Sequence, residues 1–87
     1  MNLLSIVVPV YNEENNIGEL IKKLKNLDLS GSNFKIEIII VNDGSTDGSA
    51  SIIESFDEIV IKNQDNQGKG SAVQNGIESA NGNYILI

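Results

Sequence analysis

The chain has 87 residues, with 12 Asp and Glu against 6 Lys and no Arg, giving a net charge of −6. That length allows one small domain, and the charge argues against nucleic acid, which is held by clustered basic side chains. With no Cys and no His, disulfide scaffolds, thiol catalysis, Cys-ligated metal sites and imidazole acid–base chemistry are excluded. A phosphate ligand would need backbone N–H groups, a helix N-terminus or a metal ion to offset the acidic field.

The first apolar stretch opens at Met1-Asn2-Leu3-Leu4 and stops at Pro9, without a basic flank or small-residue cleavage site. No apolar run approaches the ~18–20 residues of a bilayer span. These features predict a soluble protein of the cytoplasm. Residues 3–10 are β-branched and apolar, which predicts a strand buried on both faces. Residues 11–15 read as a polar loop. Asn16, with Glu19 three residues on, reads as a capping box opening a helix. Ile17, Leu20, Ile21, Leu24 and Leu27 form its inner face, and Lys22, Lys23 and Lys25 suit its C-terminal end.

Ser30-Gly31-Ser32-Asn33 breaks that helix. Residues 34–41, rich in Ile, predict a second strand, and residues 42–48 a turn-rich loop. A short helix is expected over 49–56, capped by a hydroxyl or carboxylate before it. Residues 59–61 predict a third strand and residues 63–68 a loop. A third helix is expected over 71–80, with Ala72, Val73, Ile77 and Ala80 inward. Asn81-Gly82-Asn83 would end it as a glycine cap, before a fourth strand over 84–87. The order β-α-β-α-β-α-β implies right-handed crossovers and a parallel sheet. Such a sheet binds ligands beyond the carboxyl ends of its strands, near a topological switch point, which directs attention to residues 11–15, 42–48 and 63–69.

Counting from Asp43, the second of these loops also fits calcium-ligand spacing, with Ser45, Asp47, Gly48 and Glu54 at positions 3, 5, 6 and 12. An EF-hand needs a helix before its loop, and residues 35–41 are the least helix-like in the chain. Gly68-Lys69-Gly70-Ser71 resembles the tail of a phosphate-binding loop, but Asn63 stands where that motif needs glycine. Val73 likewise breaks the dinucleotide fingerprint. What survives is that Gly68 and Gly70 let backbone approach a ligand closely, or simply keep a loop flexible. Tyr11 offers either an aromatic face for a base or a packing contact under a loop. Asp43 offers either an acceptor for a base N–H or ribose hydroxyl, or a turn-forming carboxylate. Glu13 and Glu14 read most simply as a solvated loop.

Taken together, four motifs in order resemble those of family 2 glycosyltransferases. Pro9-Val10-Tyr11-Asn12-Glu13-Glu14 resembles P-x-Y-N-E. Val41-Asn42-Asp43-Gly44-Ser45-Thr46-Asp47-Gly48-Ser49 resembles V-D-D-G-S-x-D-G-[ST], with Asn42 replacing the first Asp. Asn66-Gln67-Gly68-Lys69-Gly70-Ser71-Ala72 resembles N-x-G-x-[GA]-x-A, and Gly82-Asn83-Tyr84-Ile85 resembles G-x-Y-I.

The resemblance implies a Rossmann-like GT-A fold and inverting transfer of a sugar from a UDP- or GDP-sugar to an acceptor. It implies that Pro9, Tyr11, Glu13, Val41 and Asp43 bind the nucleotide, with Gly68, Lys69 and Gly70 near phosphate or sugar. The Gly-Lys-Gly form is most similar to members using polyprenyl or dolichyl phosphate acceptors, which would put the parent protein at the cytoplasmic face of a membrane. The family's D-x-D carboxylates for Mg²⁺ or Mn²⁺ are expected beyond Ile87, with the catalytic base later still. Residues 1–87 are therefore expected to be an incomplete N-terminal nucleotide-sugar-binding portion, inactive alone, with no metal or catalytic residue of its own. Two alternatives stand beside this: a non-catalytic nucleotide-binding or self-associating module, pairing through its exposed last strand, and a calcium-binding loop protein.

Overall fold

The computed structural model describes residues 2–29 and 31–87; Met1, read into the first apolar stretch, and Ser30, read into the helix break, lie outside them. Four strands and three helices alternate: β1 (Asn2–Val10), α1 (Ile17–Lys25), β2 (Phe34–Asp43), α2 (Ser49–Glu54), β3 (Val60–Gln64), α3 (Lys69–Ser79) and β4 (Tyr84–Leu86). All pairings are parallel, in the order β3-β2-β1-β4. The chain steps outward from β1 to β3 and then crosses back to β4. Right-handed crossovers in opposite directions place their helices on opposite faces, so α1 and α2 share one face and α3 covers the other. The order reverses between β1 and β4, which opens a crevice beyond their carboxyl ends.

Strand alternation divides the core in two. Val10, Ile38 and Ile40 meet Ile17 and Ile21 of α1 and Ile53 of α2, with Val8, Leu24 and Ile36 packed alongside. Each fully buried Ile there contributes roughly 1.5–3 kcal/mol by leaving water. On the opposite face Val7, Ile39 and Val41 meet only Ala72 as a fully buried partner. Gly76 explains how α3 packs there with so few large side chains. A Cβ at this position would overlap Val7 Cγ1 and stand 3.2 Å from Val41 Cγ2, so the helix backbone lies directly on the sheet. Sequence reading placed Val73 and Ile77 on this inner face and missed Gly76; Ala72 and Gly76 are the buried residues of α3.

Four local expectations are corrected. Asn16 occupies the N-cap position of α1 but makes no side-chain cap. The N–H groups of Asn16 and Ile17 both donate to the Glu13 carbonyl, so a backbone turn starts the helix instead. Leu20, at the edge of the apolar stripe, is 41% exposed, and Leu27, beyond the helix end, is 50% exposed. Nor does Gly82 cap α3, which ends at an extended Ala80. Gly82 instead lies against β1, where a Cβ would stand 2.8 Å from the Leu3 carbonyl oxygen. Finally, β3 runs three residues past its expected end and α3 starts two residues early, which shortens the loop between them.

Candidate functional site

The loops after β1 and β2 are locked together by the motif residues themselves. Asn12, at φ +51, receives the Thr46 N–H on Oδ1 at 2.7 Å and gives its own N–H to Ser45 Oγ at 3.0 Å. The Glu13 N–H donates to Ser49 Oγ at 2.9 Å and the Glu14 N–H to Asp47 Oδ2 at 3.2 Å. In return, Glu14 Oε2 accepts the Gly48 N–H at 3.0 Å. Asp47 Oδ1 takes the Ser49 N–H, the first of α2, at 2.9 Å, but the N-cap position itself is Gly48 and has no side-chain cap, where a hydroxyl or carboxylate was expected. The Ser49 hydroxyl first, with the Ser49 and Glu14 N–H groups, holds the Asp47 carboxyl below its ordinary value against the opposing effect of burial. Asn42 Oδ1 accepts the Ser45 N–H at 3.1 Å, a turn contact that an Asp oxygen would make equally.

These contacts account for Asn12, Glu14, Asn42 and Asp47 of the motifs as structure. The loop read for calcium follows β2 rather than a helix, and its Asp43 and Asp47 oxygens already accept N–H groups. Among the described residues, no three His, Cys, Asp or Glu side chains stand together to hold a metal ion.

Alternate residues of the same motifs face a cleft of about 380 Å³ beyond the carboxyl ends of β1 and β2. Pro9, Tyr11, Glu13, Asp43 and Lys69 line it, with Val10, Ala72 and Ile87. Tyr11 is 45% exposed at its mouth, free to present a ring face. Lys69, the first residue of α3, brings a cation to a cleft whose other charged lining residues are Glu13 and Asp43. Val41 is fully buried between the sheet and α3, so its side chain is on no cleft wall. Gly68 and Gly70 are exposed beside the cleft rather than lining it. A Cβ on either would meet nothing within 4 Å, but Gly68 holds φ +97, a conformation that favours glycine.

Asp43 anchors the cleft floor. It is 4% exposed and paired in register with Gln64 across β2 and β3. Its Oδ1 accepts Gln64 Nε2 and the Gln67 N–H, each at 2.8 Å, and Oδ2 accepts the Gly68 N–H at 3.0 Å. Gln64, followed by the Gln67 and Gly68 N–H groups, holds the carboxyl below its ordinary value against burial. Gln64 is itself fixed by Asn75 Nδ2, which donates to its Oε1 at 3.1 Å. Gly44, at φ +71, admits this arrangement, because a Cβ there would stand 2.7 Å from the Asn66 nitrogen. Gln64 and Asn75 were missed by sequence reading. Their signal is the β2–β3 register, which a strand ending at Ile61 conceals.

A second and larger hollow, about 500 Å³, opens at the other end of the sheet beside Leu24, Leu27, Phe34 and Glu58. It contains none of the motif residues and lies away from the switch point, so the smaller cleft is the candidate site.

The arrangement matches known proteins along nearly all of its length. A dolichyl-phosphate β-glucosyltransferase of Dictyostelium discoideum is 36% identical over 95 residues, covering 97% of this chain and 29% of the relative. The uncharacterized glycosyltransferase EpsJ of Bacillus subtilis is 44% identical over 87 residues, covering 95% and 24%. The chain thus spans about a quarter of the length of these relatives. Among solved structures, S. aureus TarS superposes with a TM-score of 0.80 at 28% identity, over 99% of this chain and 26% of that one. A mannosyltransferase of Pyrobaculum calidifontis, in complex with GDP-Man and Mn²⁺, gives 0.74 at 23% identity over 94% and 25%, a likeness of fold. The fold is the Rossmann-like GT-A arrangement, and the glycosyl transferase family 2 model matches residues 5–87, taking in all four motifs and every wall of the cleft. The chain belongs to glycosyl transferase family 2.

Proposed function

We propose that these 87 residues form the nucleotide-sugar-binding part of an inverting glycosyltransferase. The observation that carries this reading is the cleft at the switch point. It sets an exposed Tyr11 ring, the Asp43 carboxylate and the Lys69 ammonium around one space of about 380 Å³. Those are the groups a nucleoside diphosphate needs: an aromatic face for the base, an acceptor for a base N–H or ribose hydroxyl, and a cation for phosphate. In the complete enzyme, an acceptor oxygen, that of a hydroxyl or of a lipid phosphate, attacks the anomeric carbon from the face opposite the nucleotide. The new C–O bond forms as the bond to the diphosphate breaks and the configuration inverts; a hydroxyl acceptor passes its proton to a base, whereas an ionised phosphate has none to pass.

The catalytic base and the ligands of a divalent cation, Mg²⁺ or Mn²⁺, are proposed to lie outside these residues. The contribution proposed for this chain is to hold base, ribose and phosphate. A polyprenyl or dolichyl phosphate acceptor is supported by the dolichyl-phosphate glucosyltransferases among the relatives. Among the described residues no helix is long and apolar enough to cross a membrane, and a cytoplasmic setting is proposed. Calorimetric titration of the chain with UDP and GDP is expected to give weak, saturable binding that Tyr11→Ala weakens. Sugar transfer from nucleotide sugars with Mn²⁺ is expected to be absent. Heat no different from buffer for both nucleotides, or clear transfer, would contradict the proposal.

A second reading rests on β4, whose Tyr84, Ile85 and Leu86 are 55%, 42% and 54% exposed at a sheet edge. It holds that copies of the chain associate through that edge. Light scattering after size exclusion checks it, and a monomer at all concentrations would dismiss it.

A further inference from the structure

We infer that Asn81–Gly82 is a site of covalent modification by spontaneous deamidation, and that the change releases β4 from β1.

The chain has two Asn-Gly pairs, Asn75–Gly76 and Asn81–Gly82. Glycine has no Cβ to crowd its backbone nitrogen, which can attack the carboxamide carbon of the Asn before it. In that step the nitrogen gives its proton to hydroxide and bonds to the Asn Cγ, and the Cγ–Nδ2 bond breaks. Ammonia leaves, and a five-membered succinimide remains. Water then opens the ring at either carbonyl to give an aspartate or an isoaspartate. The balance is water consumed and ammonia released, with no oxidant or cofactor.

The fold treats the two pairs differently. Asn75–Gly76 lies inside α3, where each N–H points along the helix axis and away from the side chain before it. Asn75 also donates to Gln64 Oε1 at 3.1 Å, and Gly76 is buried against Val7. Asn81–Gly82 stands between α3 and β4 in no regular element, with Asn81 exposed. Two side chains guard it. Ser5 Oγ accepts the Gly82 N–H at 2.9 Å, which occupies the attacking nitrogen. Glu37 accepts the Asn81 N–H and Nδ2, each at 3.1 Å, which holds the carboxamide. The guard opens whenever the turn lifts. The strand beyond it is three residues long and exposed throughout, so lifting is a local event. Packing requires the reactive glycine, because a Cβ at position 82 would stand 2.8 Å from the Ser5 nitrogen.

Once made, the change keeps the guard open. An amide that donates to Glu37 becomes a carboxylate that faces it, and like charges at that distance repel. The turn then no longer closes over Ser5 and Glu37, and β4 loses the anchor that holds it beside β1.

The test is to age the folded 87-residue chain in mildly alkaline buffer and follow the amide-to-acid mass gain at both pairs by digestion and mass spectrometry. Conversion at Asn81 is expected to run about tenfold or more ahead of Asn75, and the two to converge within about threefold in urea. Ser5→Ala is expected to speed conversion at Asn81 about fivefold. Asn81→Asp is expected to quicken amide exchange across β4 about tenfold more than at Ile21. Equal or faster conversion at Asn75 in the folded chain would overturn the inference, as would no conversion at Asn81 over a time that converts it in urea. An unchanged rate at Asn81 in a folded Ser5→Ala chain would overturn it too. So would β4 exchange in Asn81→Asp no faster than in the unaltered chain.

Discussion

The two faces of the sheet are built on opposite principles. Under α1 and α2 the contacts are aliphatic, with Ile17, Ile21, Ile40 and Ile53 at 0–2% exposure. Under α3 the apolar cluster is small and flanked by polar networks. At its amino end, fully buried Ser5 donates to Glu37 Oε2 at 2.9 Å and accepts the Gly82 N–H at 2.9 Å. Glu37 also accepts the Asn81 N–H and side-chain amide, each at 3.1 Å. At its carboxyl end stands the Asp43–Gln64–Asn75 chain. Dispersion and burial are non-directional, so the first face supplies stability. Hydrogen bonds are directional, and the second face uses them to fix where the α3–β4 turn and the β3–α3 loop cross the sheet. The cleft belongs to the second face because a binding site needs placed polar groups.

This contrast breaks most readily at Ile40. Ile40→Ala deletes a wholly enclosed side chain and is expected to cost about 2–5 kcal/mol, much of the stability available to so small a domain. Urea unfolding measures it, and a loss below about 1 kcal/mol would mean that the aliphatic face is not the main source of stability. On the other face, Gly76→Ala forces a methyl into Val7 and is expected to cost about 1–3 kcal/mol by overpacking. A neutral or stabilising result in the same measurement would show that α3 has room to lift.

Smaller again, Ser5→Ala removes a bridging hydroxyl and is expected to cost about 1–2 kcal/mol. Amide exchange should quicken at Asn81 and Gly82 more than at Ile21. Uniform acceleration would deny the network its local role. The gentlest test is acid. Asp43 and Asp47 are held below the ordinary carboxylate value of 3.8 by hydrogen bonds to their charged forms. Their stabilisation is therefore fully present above that value and is lost as pH falls through the lower folded-state values. Urea midpoints followed from about pH 6 to about pH 2 should decline below about pH 4, and less steeply in Asp43→Asn. A decline equally steep in that variant would remove Asp43 from the account.

The apolar face was legible in the sequence and the polar face much less so. Alternating strands and helices gave the element order, and Ile17, Ile21 and Leu24 recur at helical spacing. The motif loops pointed to the edge of the sheet where the cleft opens. What periodicity could not reveal was which residue of each motif meets its neighbour and which meets the cleft. Asn12, Glu13 and Glu14 bind Ser45, Ser49 and Asp47 across 33–36 residues, and only tertiary structure brings those loops together. Ser5 and Glu37 did leave a trace, as polar residues flanked by apolar ones in strands that pair in register. Gly76 left none, since a glycine within a helix does not announce what lies beneath it.

The proposed function requires the cleft of Tyr11, Asp43 and Lys69 to receive a nucleoside diphosphate. Titrating the ¹⁵N-labelled chain with UDP tests it most directly, because each backbone amide reports its own surroundings. Saturable shifts are expected, concentrated at Tyr11, Glu13, Asp43, Gln67, Gly68 and Lys69. Shifts absent from these residues, or gathered instead around Leu24, Leu27 and Glu58 at the far end of the sheet, would contradict it.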